Sequence, residues 1–350
     1  MNNEIRLTQF SPGAGCGCKI APGELEVILR RNDSMQFAGL LVGNEKCDDA
    51  AVYDIGDGRA VVSTTDFFTP IGDNARDFGR IAATNAISDV YAMGGVPLMA
   101  IAILGWPLDK LPAELAREVV EGAREVCSAV TIPLAGGHSV NIDTPLFGLA
   151  VTGMVNTKQV KKNCTALPGC KVFLTKPLGI GLVTTAEKRG LVKPEDAAEA
   201  LRLMTALNRA GSDFANLSGV VAMTDVTGFG LLGHALEMAE GSGVPMVLNY
   251  SKLPLLSGVD AYIAQGCLPG GTERNWNSYG HKALIDVAGE DAEKVKVLVC
   301  DPQTSGGLLV AVAPEAVDDL RKAAQKTATP LFEIGTMAEA KRGEAWVKVI

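Results

Sequence analysis

The feature that most constrains the fold is a stretch of 19 consecutive uncharged residues, 90–108. A membrane-spanning helix needs roughly 20 apolar residues in a row, so this stretch is the one candidate span to test. It contains glycines and prolines that leave only 98–104 as an unbroken apolar run. A run of that length suits a buried strand. We therefore expect a water-soluble protein with a core strand at 98–104.

Short apolar runs alternate with helical patterns along the rest of the chain. The pattern predicts further strands at 50–55, 60–65, 146–155, 171–175, 246–250, 308–312, 330–335 and 345–350. It predicts helices at 76–93, 112–130, 194–210, 231–240 and 314–327, of which 112–130 has the clearest apolar stripe. Residues 1–48 and 251–305 are expected to be irregular. With 350 residues, two domains are expected, with a boundary in the polar stretch 156–163.

The charge and cysteine content exclude several classes of protein. There are 40 acidic and 32 basic residues, a net charge of -8, so non-specific binding to nucleic acid or to an anionic membrane is not expected. The 8 cysteines have irregular spacing, apart from the pair at 16 and 18, and the first residues have no apolar signal segment. We expect free thiols in a reducing cytoplasm.

The sequence was compared with two common nucleotide-binding motifs, the P-loop and the dinucleotide fingerprint. No Gly-Lys dipeptide occurs, so a P-loop is excluded. Gly228, Gly230 and Gly233 match a dinucleotide fingerprint, but residues 249–251 lack the acidic side chain that would bind the ribose. A glycine-rich turn that leads into a helix explains these glycines better.

Aspartates in apolar surroundings are the stronger chemical signal. They are Asp48, Asp49, Asp66, Asp89 and Asp225. Each alone is more readily explained as a cap or turn residue, but several together fit a hard cation such as Mg²⁺ that bridges phosphate oxygens. Glycine-rich turns at 135–139 and 270–275 could then present N–H groups, and Arg274, to a polyphosphate.

The segment Cys16-Gly17-Cys18-Lys19 is the most unusual part of the sequence. A thiol on a glycine-rich loop near a lysine should have a lowered pKa and good nucleophilicity. The alternatives are an adventitious pair of exposed thiols, a redox pair, or a clip for a soft metal.

Motifs along nearly the whole chain resemble those of the selenophosphate synthetase (selenide, water dikinase) family. The segment 7–19, which contains the Cys-Gly-Cys-Lys loop, is the part that distinguishes this family from the wider aminoimidazole-ribonucleotide synthetase superfamily. The other matching segments are 48–53, 64–68, 85–89, 136–139, 224–230, 270–275 and 301–307.

The resemblance implies a two-domain α+β fold, although the alternation of strands and helices alone would favour α/β. It implies a mobile glycine-rich catalytic segment at 1–48, an N-terminal ATP-binding domain at 49–156 and a C-terminal α+β domain at 157–350. In the family the N-terminal domain forms a dimeric β-barrel, so a homodimer is expected.

The resemblance also implies the reaction, in which ATP, selenide and water give selenophosphate, AMP and orthophosphate for selenoprotein and seleno-tRNA synthesis. Mg²⁺ and a monovalent cation such as K⁺ are the implied cofactors, and a selenium-delivery protein is a further expected partner. The implied catalytic residues are Cys16 and Lys19, and the implied metal ligands are Asp49, Asp89 and Asp225. The implied nucleotide-contacting residues are Lys19, Lys46, Cys47, Asp48, Asp66, Asp89, Gly137, His138 and Ser139.

Two rival functions share part of these features. Another ATP-using enzyme of the superfamily, such as a thiamine-monophosphate kinase, would need the aspartates but not Cys16 and Lys19. A thiol protein that carries selenium or metal without catalysis would need the cysteines but would not turn over ATP.

Overall fold

The structure is a computed structural model, and it describes residues 5–11, 15–20, 22–29, 37–289, 291–339 and 345–350. The side chains of Cys16 and Cys18 lie outside this description, although their backbone lies within it. Among the described helices, none is long and apolar enough to cross a membrane.

The N-terminal half is built on a six-stranded sheet with two helices on one face. Its elements are α1 (Pro22–Leu29), β1 (Leu40–Val42), β2 (Ala51–Gly56), β3 (Arg59–Phe68), α2 (Ala75–Ala92), β4 (Val96–Trp106), α3 (Ala113–Ala129), β5 (Leu134–Asn141) and β6 (Leu146–Asn156). The strand order is β1-β2-β3-β6-β4-β5, and only β4 and β5 pair in parallel, because α3 connects them as a crossover.

Helices α2 and α3 pack closely because each carries a glycine at the contact. A Cβ atom on Gly79 would lie 1.8 Å from the carbonyl oxygen of Val119, and one on Gly122 would lie 2.0 Å from that of Arg76. Helix α2 begins at the side chain of Asn74, which accepts a hydrogen bond from the backbone N–H of Asp77. The glycines therefore hold α2 at a fixed distance from α3.

The C-terminal half is a seven-stranded mixed sheet with helices around it. Its helices are α4 (Ile180–Lys188), α5 (Pro194–Met204), α6 (Ala210–Phe214), α7 (Gly230–Ser242), α8 (Val259–Ala264), α9 (Gly270–Tyr279), α10 (Ala292–Cys300) and α11 (Val317–Lys326). Its strands are β7 (Lys171–Leu174), β8 (Val220–Asp225), β9 (Met246–Leu248), β10 (Ala283–Ile285), β11 (Leu308–Val312), β12 (Phe332–Met337) and β13 (Val347–Val349). The strand order is β10-β13-β9-β12-β7-β11-β8.

The two halves share part of their core. Residues of α4 and α5, such as Ile180 and Leu203, belong to the same buried cluster as Phe78 and Ile87 of α2. Helix α2 also packs against β8 at the edge of the C-terminal sheet. As a result, α2 lies between the two sheets, and its residues 83–92 are all buried.

The α+β class predicted from the resemblance is confirmed, but several finer predictions are wrong. The N-terminal sheet is open, since its edge strands β1 and β5 do not pair with each other, so the described chain forms no closed barrel. Residues 1–48 are not wholly irregular, because α1 and β1 lie there. The predicted helix at 194–210 is two helices, α5 and α6, separated by residues 205–209.

The two predicted glycine-rich turns and the predicted irregular segment 251–305 are regular structure instead. The predicted turn at 135–139 lies in β5, where Gly136 and Gly137 have φ angles of 137° and 154° that favour glycine. The predicted turn at 270–275 is the first part of α9, and the segment 251–305 contains α8, α9, β10 and α10. Packing of α9 against α10 and α7 stabilises a helix that its glycines would not favour alone.

Candidate active site

Four aspartates approach one another where α2 meets the two sheets. Asp49 precedes β2, Asp66 lies on β3, Asp89 lies on α2 and Asp225 ends β8. On β3, residues alternate between the two faces of the sheet, and Asp66 lies on the face that is turned towards α2. Asp89 and Asp225 are 6% and 2% exposed, so their charges are largely removed from water.

Each of these carboxylates accepts one short hydrogen bond from a neighbouring side chain. The donors and acceptors are Thr224 Oγ1 to Asp49 Oδ1 at 2.6 Å, Asn85 Nδ2 to Asp66 Oδ2 at 2.5 Å, Thr64 Oγ1 to Asp89 Oδ2 at 2.5 Å and Ser88 Oγ to Asp225 Oδ2 at 2.5 Å. Since Asn85, Ser88 and Asp89 are spaced by three and four residues, one face of α2 holds all three. These bonds fix the orientation of the carboxylates.

The electrostatics of the cluster favour a cation. Burial and the nearby charge of Asp225 raise the pKa of Asp49 well above its usual range. Burial and the nearby charges of Asp66, Asp225 and Asp49 likewise raise the pKa of Asp89. Burial also raises the pKa of Asp225. Like charges in a buried site destabilise each other unless a bound cation neutralises them.

The donor set fits a magnesium ion. Asp49 Oδ2 is buried and has no hydrogen-bond partner in the described part of the chain, which leaves it available as a ligand. No group of three or more described His, Cys, Asp or Glu side chains is spaced to hold an ion by itself. That spacing is compatible with Mg²⁺, which is usually held by one or two carboxylates together with water and substrate phosphates.

A second group of residues holds the side chains of α2 that contact this cluster, and the sequence did not predict this role. The backbone N–H of Ser305 donates to Asn85 Oδ1 at 2.8 Å. Ser305 has a φ of 52°, a backbone angle that residues other than glycine rarely adopt. Asn208 Nδ2 donates to Ser88 Oγ at 2.8 Å and to the Gly306 carbonyl at 2.8 Å. The segment 301–307 matched a family motif, but only the structure shows that it positions two side chains of α2.

Lys176 also holds the segment 301–307, through a hydrogen bond to the backbone of Ser305. Its Nζ donates to the carbonyl oxygens of Ser305 at 2.7 Å and Ala206 at 2.6 Å. Burial lowers the pKa of Lys176 to about 7, although the charge of Asp225 opposes this shift. Lys176 is therefore a buried amine near the carboxylates that sequence patterns did not reveal.

The loop that contains Cys16 and Lys19 lies between the two halves. Residues Gly15–Cys18 form a short 3₁₀ helix, and the Gly15 N–H donates to the Thr69 carbonyl at 3.2 Å. Gly15 has a φ of 50°, and a Cβ there would lie 2.5 Å from side-chain atoms of Ile71 and Thr304. Lys19 Nζ lies 3.9 Å from Asp66 Oδ1, so the structure brings Lys19 to the carboxylate cluster.

The segment Lys46–Asp48 is held by Asn163, which follows β6. The Asn163 backbone N–H donates to Asp48 Oδ1 at 2.7 Å, and its Nδ2 donates to the carbonyl oxygens of Lys46 at 3.1 Å and Cys47 at 2.9 Å. Cys47 is exposed and has a φ of 55°. Burial raises the pKa of Asp48. This segment lies directly before Asp49, so Asn163 also helps to place that carboxylate.

Gly137, His138 and Ser139 lie apart from the carboxylates within one chain. They are exposed residues on β5, which is separated from β3 by β6 and β4. Three strand spacings correspond to ~14 Å. The structure therefore does not bring these three predicted nucleotide contacts together with Asp66.

Asp301 should make the free energy of unfolding depend on pH. Its Oδ2 accepts from the Gly181 N–H at 3.0 Å and from Gln303 Nε2 at 2.8 Å, while its Oδ1 is buried without a partner among the described residues. Burial raises the pKa of Asp301 to about 8. An unfolded aspartate has a pKa of about 3.9, so between these values the folded state holds more protons, and the free energy of unfolding falls as pH rises.

Asp301→Asn should remove this dependence, because asparagine does not ionise. The free energy of unfolding of the variant relative to the wild type should increase with pH between about 4 and 8, by up to ~1.4 kcal/mol per pH unit. Urea denaturation at several pH values measures it, with the exposed Asp109→Asn as the control. A difference that does not vary with pH would show that Asp301 is already ionised in the folded protein.

Comparison with known proteins places this chain in a class. The model of the AIR synthase related protein N-terminal domain matches residues 47–155, and that of the C-terminal domain matches residues 168–348. A crystal structure of thiamine-monophosphate kinase from Stenotrophomonas maltophilia has a TM-score of 0.64 at 19% identity and covers 93% of both chains. That of the hydrogenase maturation protein HypE in complex with ATP has a TM-score of 0.65 at 16% identity and covers 99% of this chain and 94% of that one. The chain has the fold of these structures and is an AIR synthase related protein.

Much closer relatives narrow this class. The chain is 58% identical over 347 residues to selenide, water dikinase of Salmonella typhi, covering 99% of this chain and 98% of the relative. It is 58% identical over 349 residues to selenide, water dikinase of Escherichia coli, covering 99% of both. The chain belongs to the selenide, water dikinase family.

Proposed function

We propose that this protein uses ATP to convert selenide and water into selenophosphate, AMP and orthophosphate. One phosphoryl group is transferred to selenium and another to the oxygen of water, so two phosphoanhydride bonds are broken. The observation that carries the proposal is the 3.9 Å approach of Lys19 Nζ to Asp66, because it joins the Cys-Gly-Cys-Lys loop to the carboxylate cluster. Identity of 58% to selenide, water dikinases supports the same reaction.

The carboxylates have the metal-binding role in this proposal. Asp49, Asp89 and Asp225 would bind Mg²⁺ together with water and substrate phosphates, and the bound ion would neutralise charge on the transferring phosphoryl groups. Thr224, Thr64 and Ser88 keep the three carboxylates oriented by the hydrogen bonds described above. A monovalent cation such as K⁺ belongs to the proposal as an activator.

Residues on both sides of the cluster contact the nucleotide and selenium. Cys16 and Lys19 act in catalysis, and Lys19 provides a positive charge near phosphate oxygens. The proposed nucleotide contacts are Lys19, Lys46, Cys47, Asp48, Asp66, Asp89, Gly137, His138 and Ser139. Asn163 positions three of them through its backbone and side-chain bonds.

The organisation of the chain completes the proposal. Residues 1–48 carry the catalytic loop, 49–156 form the ATP-binding and dimerisation domain, and 157–350 form the C-terminal domain. The protein acts in the cytoplasm, where thiols stay reduced. A selenium-delivery protein is its proposed partner.

An anaerobic incubation with ATP, Mg²⁺ and selenide tests the function. AMP should form only when selenide is present, together with a phosphorus NMR signal of selenophosphate. ADP formation with thiamine monophosphate instead would favour a kinase of the wider superfamily. Absence of any ATP turnover would favour a thiol protein that carries selenium.

The outer face of the N-terminal sheet supports the homodimer. Tyr53, Phe67, Met99 and Ile101 are 44–51% exposed, and the strand register places them on the face opposite α2. Several large, exposed apolar side chains on one face of a sheet are typical of an interface. Because a two-fold axis would pair this face with its own copy, each chain would bury it in the same way.

Static light scattering should give twice the mass of one chain at micromolar concentration. The double variant Met99→Glu/Ile101→Glu should be a folded monomer, because two carboxylates per chain would be buried without partners in the interface. Leu191→Glu, which changes an equally exposed apolar residue of the C-terminal half, should stay dimeric. A monomeric wild-type protein would contradict the proposal.

A further inference from the structure

A small cavity lies beside the Cys-Gly-Cys-Lys loop, on the side of the C-terminal half. It has a volume of about 10 Å³, and we call it the loop cavity. The residues that line it include Gly17, Lys19, Gly228, Phe229, Gly271 and Arg274. A volume of this size corresponds to a single small particle, and the cavity is reached from solvent, since Lys19 and Arg274 on its border are exposed.

Two cations border the loop cavity. Arg274 lies on α9 and Lys19 on the loop, so the two side chains approach the cavity from different halves of the protein. Arg274 Nη2 donates to the Gly17 carbonyl at 2.6 Å, and its guanidinium makes no other hydrogen bond to the described residues. A guanidinium has five N–H donors, so donors remain for an anion.

The other walls of the cavity are glycine backbone and one aromatic ring, which can make close dispersion contacts with a polarisable atom. Gly17, Gly228 and Gly271 present no side chains, and a Cβ on Gly271 would lie 2.6 Å from Pro302 and 3.6 Å from the Gly17 carbonyl oxygen. Lys19 Nζ lies 5.7 Å from the centre of the Phe229 ring, which forms another wall. Asn275 Nδ2 donates to the carbonyl oxygens of Gly228 and Cys300, each at 3.0 Å, and so fixes the position of Gly228.

We propose that the loop cavity is the binding subsite for selenide, and that Arg274 and Phe229 are substrate-binding residues. The inference rests on the proposed function. Selenide at neutral pH is mainly HSe⁻, a single heavy atom with one negative charge, so it needs cations and close dispersion contacts rather than several directed hydrogen bonds. Lys19 lines the cavity and also lies 3.9 Å from Asp66, so an anion there is adjacent to the carboxylate cluster.

This assignment gives Arg274 a different ligand from the polyphosphate that its glycine-rich segment suggested. A polyphosphate contact would require Arg274 to reach the phosphates at the carboxylates, whereas its one described bond is to the loop between the two cysteines. The distinction can be measured, because the two substrates are varied separately in a kinetic assay.

Arg274→Gln should raise the KM for selenide by ~10- to 100-fold, as expected when one charge-assisted contact is lost. The kcat at saturating selenide and the KM for ATP should stay within about twofold, a change too small to indicate a lost contact. Arg274→Lys should recover part of the affinity, because it keeps the charge but not the planar fork. Arg189→Gln is the matched control, since Arg189 also donates to a backbone carbonyl, that of Gly266 at 2.8 Å.

Three kinetic outcomes for Arg274→Gln would overturn the proposal. A higher KM for ATP with an unchanged KM for selenide would assign Arg274 to polyphosphate. A lower kcat with both KM values unchanged would mean that Arg274 only holds the loop. Unchanged kinetics would remove Arg274 from substrate binding. A wild-type protein with no selenide-dependent AMP formation would overturn the proposed function as well.

Selenium can also be located without turnover. Crystals of the full chain, soaked anaerobically with selenide and no ATP, should give an anomalous selenium peak in the loop cavity between Lys19 and Arg274. The peak should be lost in Arg274→Gln crystals and kept in Arg189→Gln crystals. Selenium found only in a covalent bond to Cys16, or only outside the cavity, would overturn the subsite.

Discussion

Selenide-dependent AMP formation should fall by at least ~10²- to 10³-fold in both Cys16→Ser and Lys19→Ala, and should largely persist in Cys18→Ser. Removal of one fixed electrostatic group in a closed site has effects of this size. Lys19 Nζ lies between Asp66 Oδ1 at 3.9 Å and the Phe229 ring, so its charge lies next to the carboxylate cluster. The two cysteines are expected to be unequal because the family resemblance assigns the catalytic role to Cys16 alone.

Each of these variants needs evidence that it folds. Thermal unfolding should change little, since the described loop contacts at Gly15 and Gly17 are made by backbone atoms. Lys19→Arg, which keeps the charge, should retain more activity than Lys19→Ala. Equal loss in both cysteine variants would favour a redox pair or metal clip, and activity in all of them would remove the loop from the mechanism.

Asp49→Asn, Asp89→Asn and Asp225→Asn should each abolish ATP turnover at ordinary Mg²⁺ concentrations. Each change removes one charged oxygen ligand from the proposed metal site. Isothermal titration with Mg²⁺ and ATP should show weaker metal binding in all three. Asp109→Asn, which changes an exposed aspartate, should bind and react as the wild type does.

Without metal, the asparagine variants should be at least as stable to unfolding as the wild-type protein. Burial and mutual repulsion raise the pKa of Asp49 and of Asp89, so ionising either one destabilises the folded protein. Without metal, the asparagine variants should therefore unfold no more easily than the wild type at neutral pH, and less easily as the pH rises further. An easily unfolded variant would instead support a structural cap or turn role for that aspartate.

Sequence patterns predicted the parts of the fold in which local chemistry and burial agree. The apolar stripe of α3 is an example, since it is visible within one element. The strand predicted at 98–104 is present in β4, but its predicted burial is wrong, because Leu98, Met99 and Ile101 are 44–45% exposed. The helices α8, α9 and α10 were missed because they are short or begin with glycine, and packing rather than propensity stabilises them. The strand β5 was missed because its glycines are also typical of turns.

The site was predictable only in part for a similar reason. The aspartates were recognisable as charges in apolar segments and by resemblance to a family. Lys176, Asn208 and Asn163 were not, because their roles depend on partners more than 100 residues away or on backbone carbonyls that carry no sequence identity. Bonds of this kind are visible only when the chain is folded.

The position of α2 between the sheets has a consequence for how substrates reach the site. Asn85 of α2 is hydrogen-bonded to Ser305, and Ser88 of α2 is hydrogen-bonded to Asp225 and Asn208. These three partners belong to the C-terminal half. A hinge motion that parted the halves would break these bonds and expose the apolar surface they share. We therefore expect the halves to move as one rigid body during turnover, and the passage for substrates to open and close at the segment 15–20.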